Sequence, residues 1–196
     1  MTNIKLINQE TDYQLDLNVY DNWEELNLEN YFKIITLIQN KDNLDETLFF
    51  TEIISILANI EIEKLYDIPV SQLVQFTDII SKLNPDTLPN KVPDTIVIDN
   101  ITYVPKKNMS NITTNEMIWI KNKQKECKTS IDTMISILVI LLRPGYEKTN
   151  EAGVIKWIQT PYDNDDFETR KELFLHKLSA NNGIPLVNFF LTGNER

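Results

Sequence analysis

A near-identical pair of segments is the feature that most constrains the fold of this chain. Ile53–Leu57 reads IISIL, and Met134–Leu138 repeats it as MISIL at an offset of 81 positions (135 − 54). Each segment follows a similar helix start, Leu26–Tyr31 and Ile112–Met117, which are offset by 86 positions (112 − 26). Connecting loops that differ by five residues (86 − 81) would account for both offsets. The pattern predicts one helix-loop-helix unit used twice around a central insert, which is a packing scaffold.

Capping residues predict where the helices of the first half begin. Asn27 and Asp45 are residue types that accept hydrogen bonds from the free N–H groups of a first helical turn. Apolar residues then recur at helical spacing after both positions. Ser71 is the expected cap of a third helix, which Pro85 ends because proline cannot continue a helix interior.

The second half carries equally local signals. Thr113 and Glu116 have the spacing of a capping box, in which each side chain accepts a hydrogen bond from the other residue's backbone N–H. Residues 130–142 form the most apolar predicted helix. Arg143-Pro144-Gly145 is expected to end it, because Gly and Pro commonly follow the last turn of a helix.

Two stretches predict β-structure. Apolar and polar residues alternate through residues 13–19, within an extended N-terminal arm over residues 1–22. No partner is obvious nearby, so this strand is expected to pair elsewhere in the fold or with another chain. A hairpin is expected at about 95–104, because Asp99-Asn100 tolerates the positive φ of a two-residue turn.

These elements predict a mainly α fold with a small β component (α+β). The predicted body covers residues 23–146 and includes the hairpin. Residues 147–196 are predicted to be a C-terminal extension with one amphipathic helix, over 167–178, and an apolar tail, over 184–191.

Composition disfavours several classes of function. The net charge of −10 repels the phosphate backbone, so direct nucleic-acid binding is not expected. Met1–Lys5 lacks the apolar stretch of a signal peptide, and the longest apolar run, Met134–Leu142, is shorter than the ~20 residues that span a bilayer. We therefore expect no membrane partner and synthesis in a host cytoplasm.

No motif in the sequence predicts catalysis or a cofactor. Cys127 and His176 are the single cysteine and the single histidine, whereas a zinc site needs several such side chains. Four glycines form no phosphate-binding loop. The acidic segment Asp163–Glu168 lacks the central glycine of a calcium loop and is expected to be a favourable negative helix start. The sequence predicts no catalytic, cofactor-binding or metal-binding residues, and hence no enzyme.

The informative residues are apolar and aromatic instead. Large aromatic side chains act as core pillars or as anchors of protein interfaces. The N-terminal strand and the C-terminal tail are the segments expected to reach a neighbouring chain. The interface candidates are Tyr13, Leu15, Leu17, Val19, Trp157, Phe189, Phe190 and Leu191.

Over roughly residues 20–146 the sequence resembles tail-region structural proteins, the ring and collar components, of crAss-like tailed bacteriophages (podoviruses). The predicted hairpin belongs to this likeness. The other residues that carry it are Trp23-x-x-Leu26-x-Leu28-x-x-Tyr31, Glu52–Leu57, Glu61-x-Glu63-x-Leu65-x-x-Ile68-Pro69 and Leu141–Pro144.

The resemblance implies a structural virion protein that forms a ring in the tail or neck below the portal. It implies twelve copies to match the portal, with other ring proteins and the portal protein as partners, and no catalytic residues. Two alternatives stay open. One is a tail-assembly chaperone, which leaves before the virion is complete, and the other is a cytosolic adaptor protein unrelated to phage.

Overall fold

A computed structural model describes residues 1–192 of the chain, and about 52% of the chain is helical with 19% in strands. This confirms the predicted mainly α fold with a small β component. The chain divides into two compact units. The first unit comprises Met1–Leu88 with Ser179–Asn181, and the second comprises Pro89–Leu178 with the chain from Asn182 onward.

This division differs from the predicted arm, body and extension. The N-terminal strands bury alternate side chains and belong to the first unit, so residues 1–22 are not a separate arm. Residues after 146 supply strands to the sheet of the second unit, so they are not an extension of one central body. The first difference arises because residues 2–8 and 13–19 pair with each other, and the second because residues 142–144 pair with residues 103–105, which are distant in sequence.

The first unit opens with an antiparallel hairpin. Strands β1 (Thr2–Asn8) and β2 (Tyr13–Val19) pair along their whole length, from Thr2 opposite Val19 to Asn8 opposite Tyr13. The predicted strand therefore has its partner in the segment immediately before it. The buried side chains of the two strands are Ile4, Leu6, Leu17 and Val19.

Two capped helices follow this hairpin, α1 (Leu28–Gln39) and α2 (Glu46–Ala58). The Asn27 side chain accepts a 2.9 Å hydrogen bond from the N–H of Asn30, and that of Asp45 accepts one of 2.9 Å from the N–H of Thr47. Both predicted caps are confirmed. The core of this unit centres on Leu26, Leu28, Ile54, Leu57 and Phe76.

The third predicted helix is broken into short pieces. Helix α3 (Val70–Leu73) tightens into a 3-10 turn at Val74–Phe76, and α4 (Thr77–Lys82) follows. The cap predicted at Ser71 is wrong, because α3 already begins after Pro69 and has no side-chain cap. Further 3-10 turns are Lys41–Asn43, Ile62–Leu65, Pro85–Thr87 and Met109–Asn111.

An antiparallel four-stranded sheet in the order β3-β4-β5-β6 organises the second unit. Asp99 and Asn100 join its first two strands with φ angles of +49° and +63°, which confirms the predicted two-residue turn. Tyr103 of the sheet packs edge-on against Phe174, with ring centroids 5.2 Å apart. The strands are β3 (Ile96–Ile98), β4 (Ile101–Pro105), β5 (Leu142–Thr149) and β6 (Ile155–Gln159).

Helices α5 (Thr114–Glu126) and α6 (Ser130–Leu141) follow β4 and precede β5 along the chain. Both halves of the capping box between Thr113 and Glu116 are present, as predicted. The helix ends at Leu141, just before Arg143-Pro144-Gly145, as predicted, but these three residues continue the chain as part of β5. A Cβ at Gly145 would lie 2.3 Å from Cγ2 of Val104 on β4. Glycine at this position therefore lets the neighbouring strands β4 and β5 approach each other closely.

Two further helices complete the described chain, α7 (Phe167–Lys177) and α8 (Ala180–Thr192). Asn181-Asn182-Gly183 lies within the second of these helices. The apolar tail predicted over 184–191 is therefore helical. Its buried side chains include Ile184, Leu186, Val187 and Phe190.

Both units contain the same succession of elements, two paired strands and then two helices. In each, the residue after the second strand donates its backbone N–H to a carbonyl near the end of the second helix. Tyr20 donates to Leu57 and Lys106 donates to Leu141, both at 2.9 Å. The first helices are offset by 86 positions (28 to 114) and the second by 84 (46 to 130). The repeated unit is thus a ββαα arrangement, and its loops between helices, residues 40–45 and 127–129, differ by three residues, not five.

Candidate functional site

The far end of the β5–β6 pair is exposed on both faces. At its base Leu142 and Arg143 are buried, whereas β5 is exposed from Tyr146 to its end, as is β6 from Ile155 to Trp157. We call residues 146–157 the projecting hairpin. A two-stranded hairpin is marginally stable in water when nothing packs on it, so this segment depends on its anchored base.

Register assigns each side chain of the projecting hairpin to a face. Glu147 lies opposite Trp157 and Thr149 opposite Ile155, so the two large apolar side chains of β6 share one face. Lys148 lies directly opposite Lys156 on the other face. Trp157 is 38% exposed and Ile155 is 58% exposed, which leaves an aromatic and an aliphatic anchor open to a partner.

A tight turn fixes the tip of the projecting hairpin. The Asn150 side chain accepts hydrogen bonds from the N–H groups of Ala152 at 3.0 Å and Val154 at 2.8 Å. Gly153 has a φ of +77°, a backbone conformation that glycine adopts without steric strain because it has no Cβ. The tip is therefore held by its own polar groups although its side chains are exposed.

A buried ion cluster holds the base of the hairpin. Glu116 of α5 is 1% exposed and accepts a 2.5 Å hydrogen bond from Lys106 Nζ and a 2.7 Å bond from the N–H of Thr113 at the same oxygen, Oε2. Its other oxygen, Oε1, lies 2.6 Å from Arg143 Nη2 of β5. That contact is a close ion pair between buried groups. One carboxylate thus joins α5, β5 and the residue after β4.

Gln159 connects the same cluster to the last strand. Its Oε1 accepts a 2.7 Å hydrogen bond from Arg143 Nη2. Its Nε2 donates to the carbonyl oxygens of Leu141, at 2.7 Å, and Val104. These contacts satisfy backbone groups at the point where three strands converge, so they fix the direction in which the hairpin leaves the sheet.

The environment of Glu116 determines its ionisation. Burial alone would raise the pKa of this carboxyl group, since a charge is poorly solvated away from water. The hydrogen bonds from Lys106 and Thr113 and the charge of Arg143 outweigh that effect, so the pKa lies below its ordinary value of 4.5. The Glu116 carboxylate is therefore ionised at neutral pH.

Tyr162, just beyond β6, packs beside the base. Its ring centroid lies 6.0 Å from that of Trp119 and 5.9 Å from the guanidinium carbon of Arg170. Arg170 donates a 2.8 Å hydrogen bond to the carbonyl of Asp163. Burial is the main cause that raises the pKa of Tyr162, to about 12, so the phenol stays neutral beside the arginine.

The predicted interface candidates occupy different environments. Trp157 and Leu191 are exposed, at 38% and 45%, whereas Leu17, Val19 and Phe190 are buried within the chain. Tyr13, Leu15 and Phe189 are half-buried, and the Tyr13 hydroxyl donates a 3.2 Å hydrogen bond to the carbonyl of Lys64. Only Trp157 of this set lies in the projecting hairpin.

Sequence reasoning did not identify several residues of this site. Ile155, Lys148 and Lys156 are hairpin residues whose alternation is too short to predict the pairing. Glu116 was recognised as a cap but not as the centre of an ion cluster, because Lys106, Arg143 and Gln159 are distant in sequence. No sequence signal marks their convergence.

Over residues 1–192, no three or more His, Cys, Asp or Glu side chains group in a way that would hold a metal ion. None of the helices in that range has the length and apolar character required to cross a bilayer. Compared with known proteins, the chain matches no family model, no curated protein and no solved structure.

Proposed function

We propose that this chain is a structural subunit that acts through protein–protein contacts made by the projecting hairpin. The observation that carries the proposal is the exposure of Trp157 and Ile155 on one face of a hairpin whose base is clamped by buried ions. Exposed aromatic anchors on a rigid support are the residues that dominate binding energy in protein interfaces.

The assembly we propose is a ring in the tail or neck of a phage particle. The resemblance of residues 20–146 to ring and collar proteins of crAss-like phages supports this choice, and it supplies the expected twelve copies and the portal as neighbour. A closed ring requires that one surface of each subunit meet a different surface of the next. A hairpin that protrudes from one unit is suited to such a contact.

Self-association of the full chain tests this function. Native mass spectrometry at rising concentration should show a closed oligomer. Trp157→Ala should raise the dissociation constant at least about tenfold, because loss of a central aromatic anchor typically costs about 2 kcal/mol. Val97→Ala is the matched control, since Val97 is 65% exposed on the opposite edge strand of the same sheet.

A wild-type chain that stays monomeric at its highest soluble concentration would contradict the proposal. So would a Trp157→Ala variant that assembles as well as the wild type. Mass spectrometry of purified phage particles then separates a ring subunit, which remains in the particle, from an assembly chaperone, which does not.

A further inference from the structure

Net charge is distributed unequally between the two units. Residues 1–88 contain 5 Lys and Arg against 16 Asp and Glu, a net charge of −11, whereas residues 89–196 contain 14 against 13, a net charge of +1. The three residues that the first unit takes from the C-terminal part, Ser179–Asn181, are uncharged. Two copies that met through their first units would therefore repel each other, whereas contact between unlike units avoids this repulsion.

The first unit carries an exposed apolar groove of about 230 Å³. Its walls are Phe50 of α2 with Val70, Leu73 and Val74 of the broken third helix, and Glu46 is its charged lining residue. Val70 is 60% exposed and Val74 is 67% exposed. Aliphatic side chains exposed together around a groove indicate a surface that another protein covers.

The projecting hairpin carries an unbalanced pair of cations. Lys148 and Lys156 lie directly opposite each other on neighbouring strands, an arrangement that is destabilising for like charges. Within the described part of the chain, neither ammonium group has a carboxylate at ion-pair distance. A negatively charged surface facing these lysines would offset their repulsion.

We infer that the projecting hairpin of one copy docks in the apolar groove of a second copy. Trp157 and Ile155 fill the groove, while the net charge of −11 on the first unit around it attracts Lys148 and Lys156, on the other face of the hairpin, at longer range. This inference rests on the proposed function and adds the surface that receives the hairpin. Because the two surfaces are different parts of one chain, each contact leaves one hairpin and one groove unused, and subunits add head to tail until a ring closes.

Two complementary variants test the inference directly. Trp157→Ala removes the hairpin anchor and keeps the groove, whereas Val74→Lys places a charge in the groove and keeps the hairpin. Each alone should be monomeric in native mass spectrometry at a concentration where the wild type is oligomeric. An equimolar mixture should form heterodimers and stop at two subunits, because only the hairpin of the second variant and the groove of the first remain competent.

Val97→Lys is the matched control for the lysine substitution, since Val97 has nearly the same exposure as Val74. It should assemble like the wild type. Circular dichroism should show unchanged folding of all variants, because each substituted side chain is exposed.

A mixture that remains monomeric would overturn the inference. The inference would also be overturned if Val74→Lys assembled as well as the wild type while Trp157→Ala did not assemble. That result would leave the proposed function intact, with the hairpin binding a different surface of the second copy. A monomeric wild type would contradict both.

Discussion

Glu116 determines the geometry at the base of the projecting hairpin. Its two oxygens contact Lys106, Arg143 and the backbone of Thr113, and the side chain is almost fully buried. A buried ion cluster contributes little net stability compared with apolar packing, but removing one member leaves the others charged and uncompensated. The cluster therefore specifies position more than it adds stability.

Substituting Glu116→Gln should lower the free energy of unfolding by about 3 kcal/mol, because Lys106 and Arg143 would keep their charges in a buried site. Urea denaturation followed by circular dichroism measures this. Glu172→Gln is the control, since Glu172 is exposed and pairs with His176 in its own helix, so its loss should cost less than about 1 kcal/mol. Equal losses in the two variants would show that the cluster has no special role.

The lowered pKa of Glu116 also predicts how stability depends on pH. A carboxyl group whose pKa is lower in the folded chain stabilises the fold above its unfolded pKa, ordinarily 4.5, and this contribution is lost as the pH falls through the folded value. The free energy of unfolding should therefore decrease as the pH is lowered below that ordinary value. Because Glu116→Gln has no carboxyl group to protonate there, it should show a smaller decrease than the wild type.

At the scale of elements, signals contained within a few residues were the ones that predicted structure correctly. The caps at Asn27 and Asp45 and the turn at Asp99-Asn100 each depend only on adjacent backbone groups. Strand β5 was missed because Pro144 and Gly145 locally favour the end of a helix. Its pairing with Tyr103 on β4 depends on residues far away in sequence.

The site was predicted less well than the fold, for the same reason. Trp157 stood out as a large aromatic residue, but its exposure depends on where β5 and β6 leave the sheet. The repeated IISIL and MISIL segments did indicate two similar helix pairs. The two segments are 81 positions apart, whereas the two helices that contain them begin 84 positions apart, at Glu46 and Ser130. The similar residues therefore occupy positions that differ by about one turn in the two helices.

Shortening the projecting hairpin tests whether it is an appendage to a self-sufficient base. Replacing residues 148–156 with Asn-Gly would join Glu147 to Trp157 through a two-residue turn. The free energy of unfolding should change by less than about 1 kcal/mol, since the removed side chains are exposed. Chemical denaturation measures the change.

Gln159→Ala provides the contrast at the base of the same hairpin. Its loss would leave the backbone carbonyls of Leu141 and Val104 without the Gln159 donor and should cost about 1–3 kcal/mol. If the shortened hairpin proved as unstable as Gln159→Ala, the projecting residues would have to contribute to the fold itself.

At the scale of the whole molecule, the net charges of −11 on the first unit and +1 on the second predict that the proposed assembly is sensitive to salt. Raising sodium chloride from roughly 50 mM to roughly 500 mM should weaken self-association on the order of tenfold, because attraction between exposed charges is screened. Analytical ultracentrifugation across this range measures the dissociation constant. The variant Lys148→Gln/Lys156→Gln should show a smaller salt dependence, whereas stronger association at high salt would indicate that apolar contact alone drives assembly.

The equivalent backbone hydrogen bonds that Tyr20 donates to Leu57 and Lys106 donates to Leu141 bear on the origin of the two units. Equivalent bonds in two ββαα units are expected if the units arose by duplication of one ancestral unit, after which each copy can change independently. The position equivalent to Glu116 in the first half is Asn30, a buried neutral amide, and β5 and β6 are appended only to the second half. On that origin, the buried ion cluster and the projecting hairpin belong to the second half alone, and the first half, which carries the groove, has the plain ββαα unit.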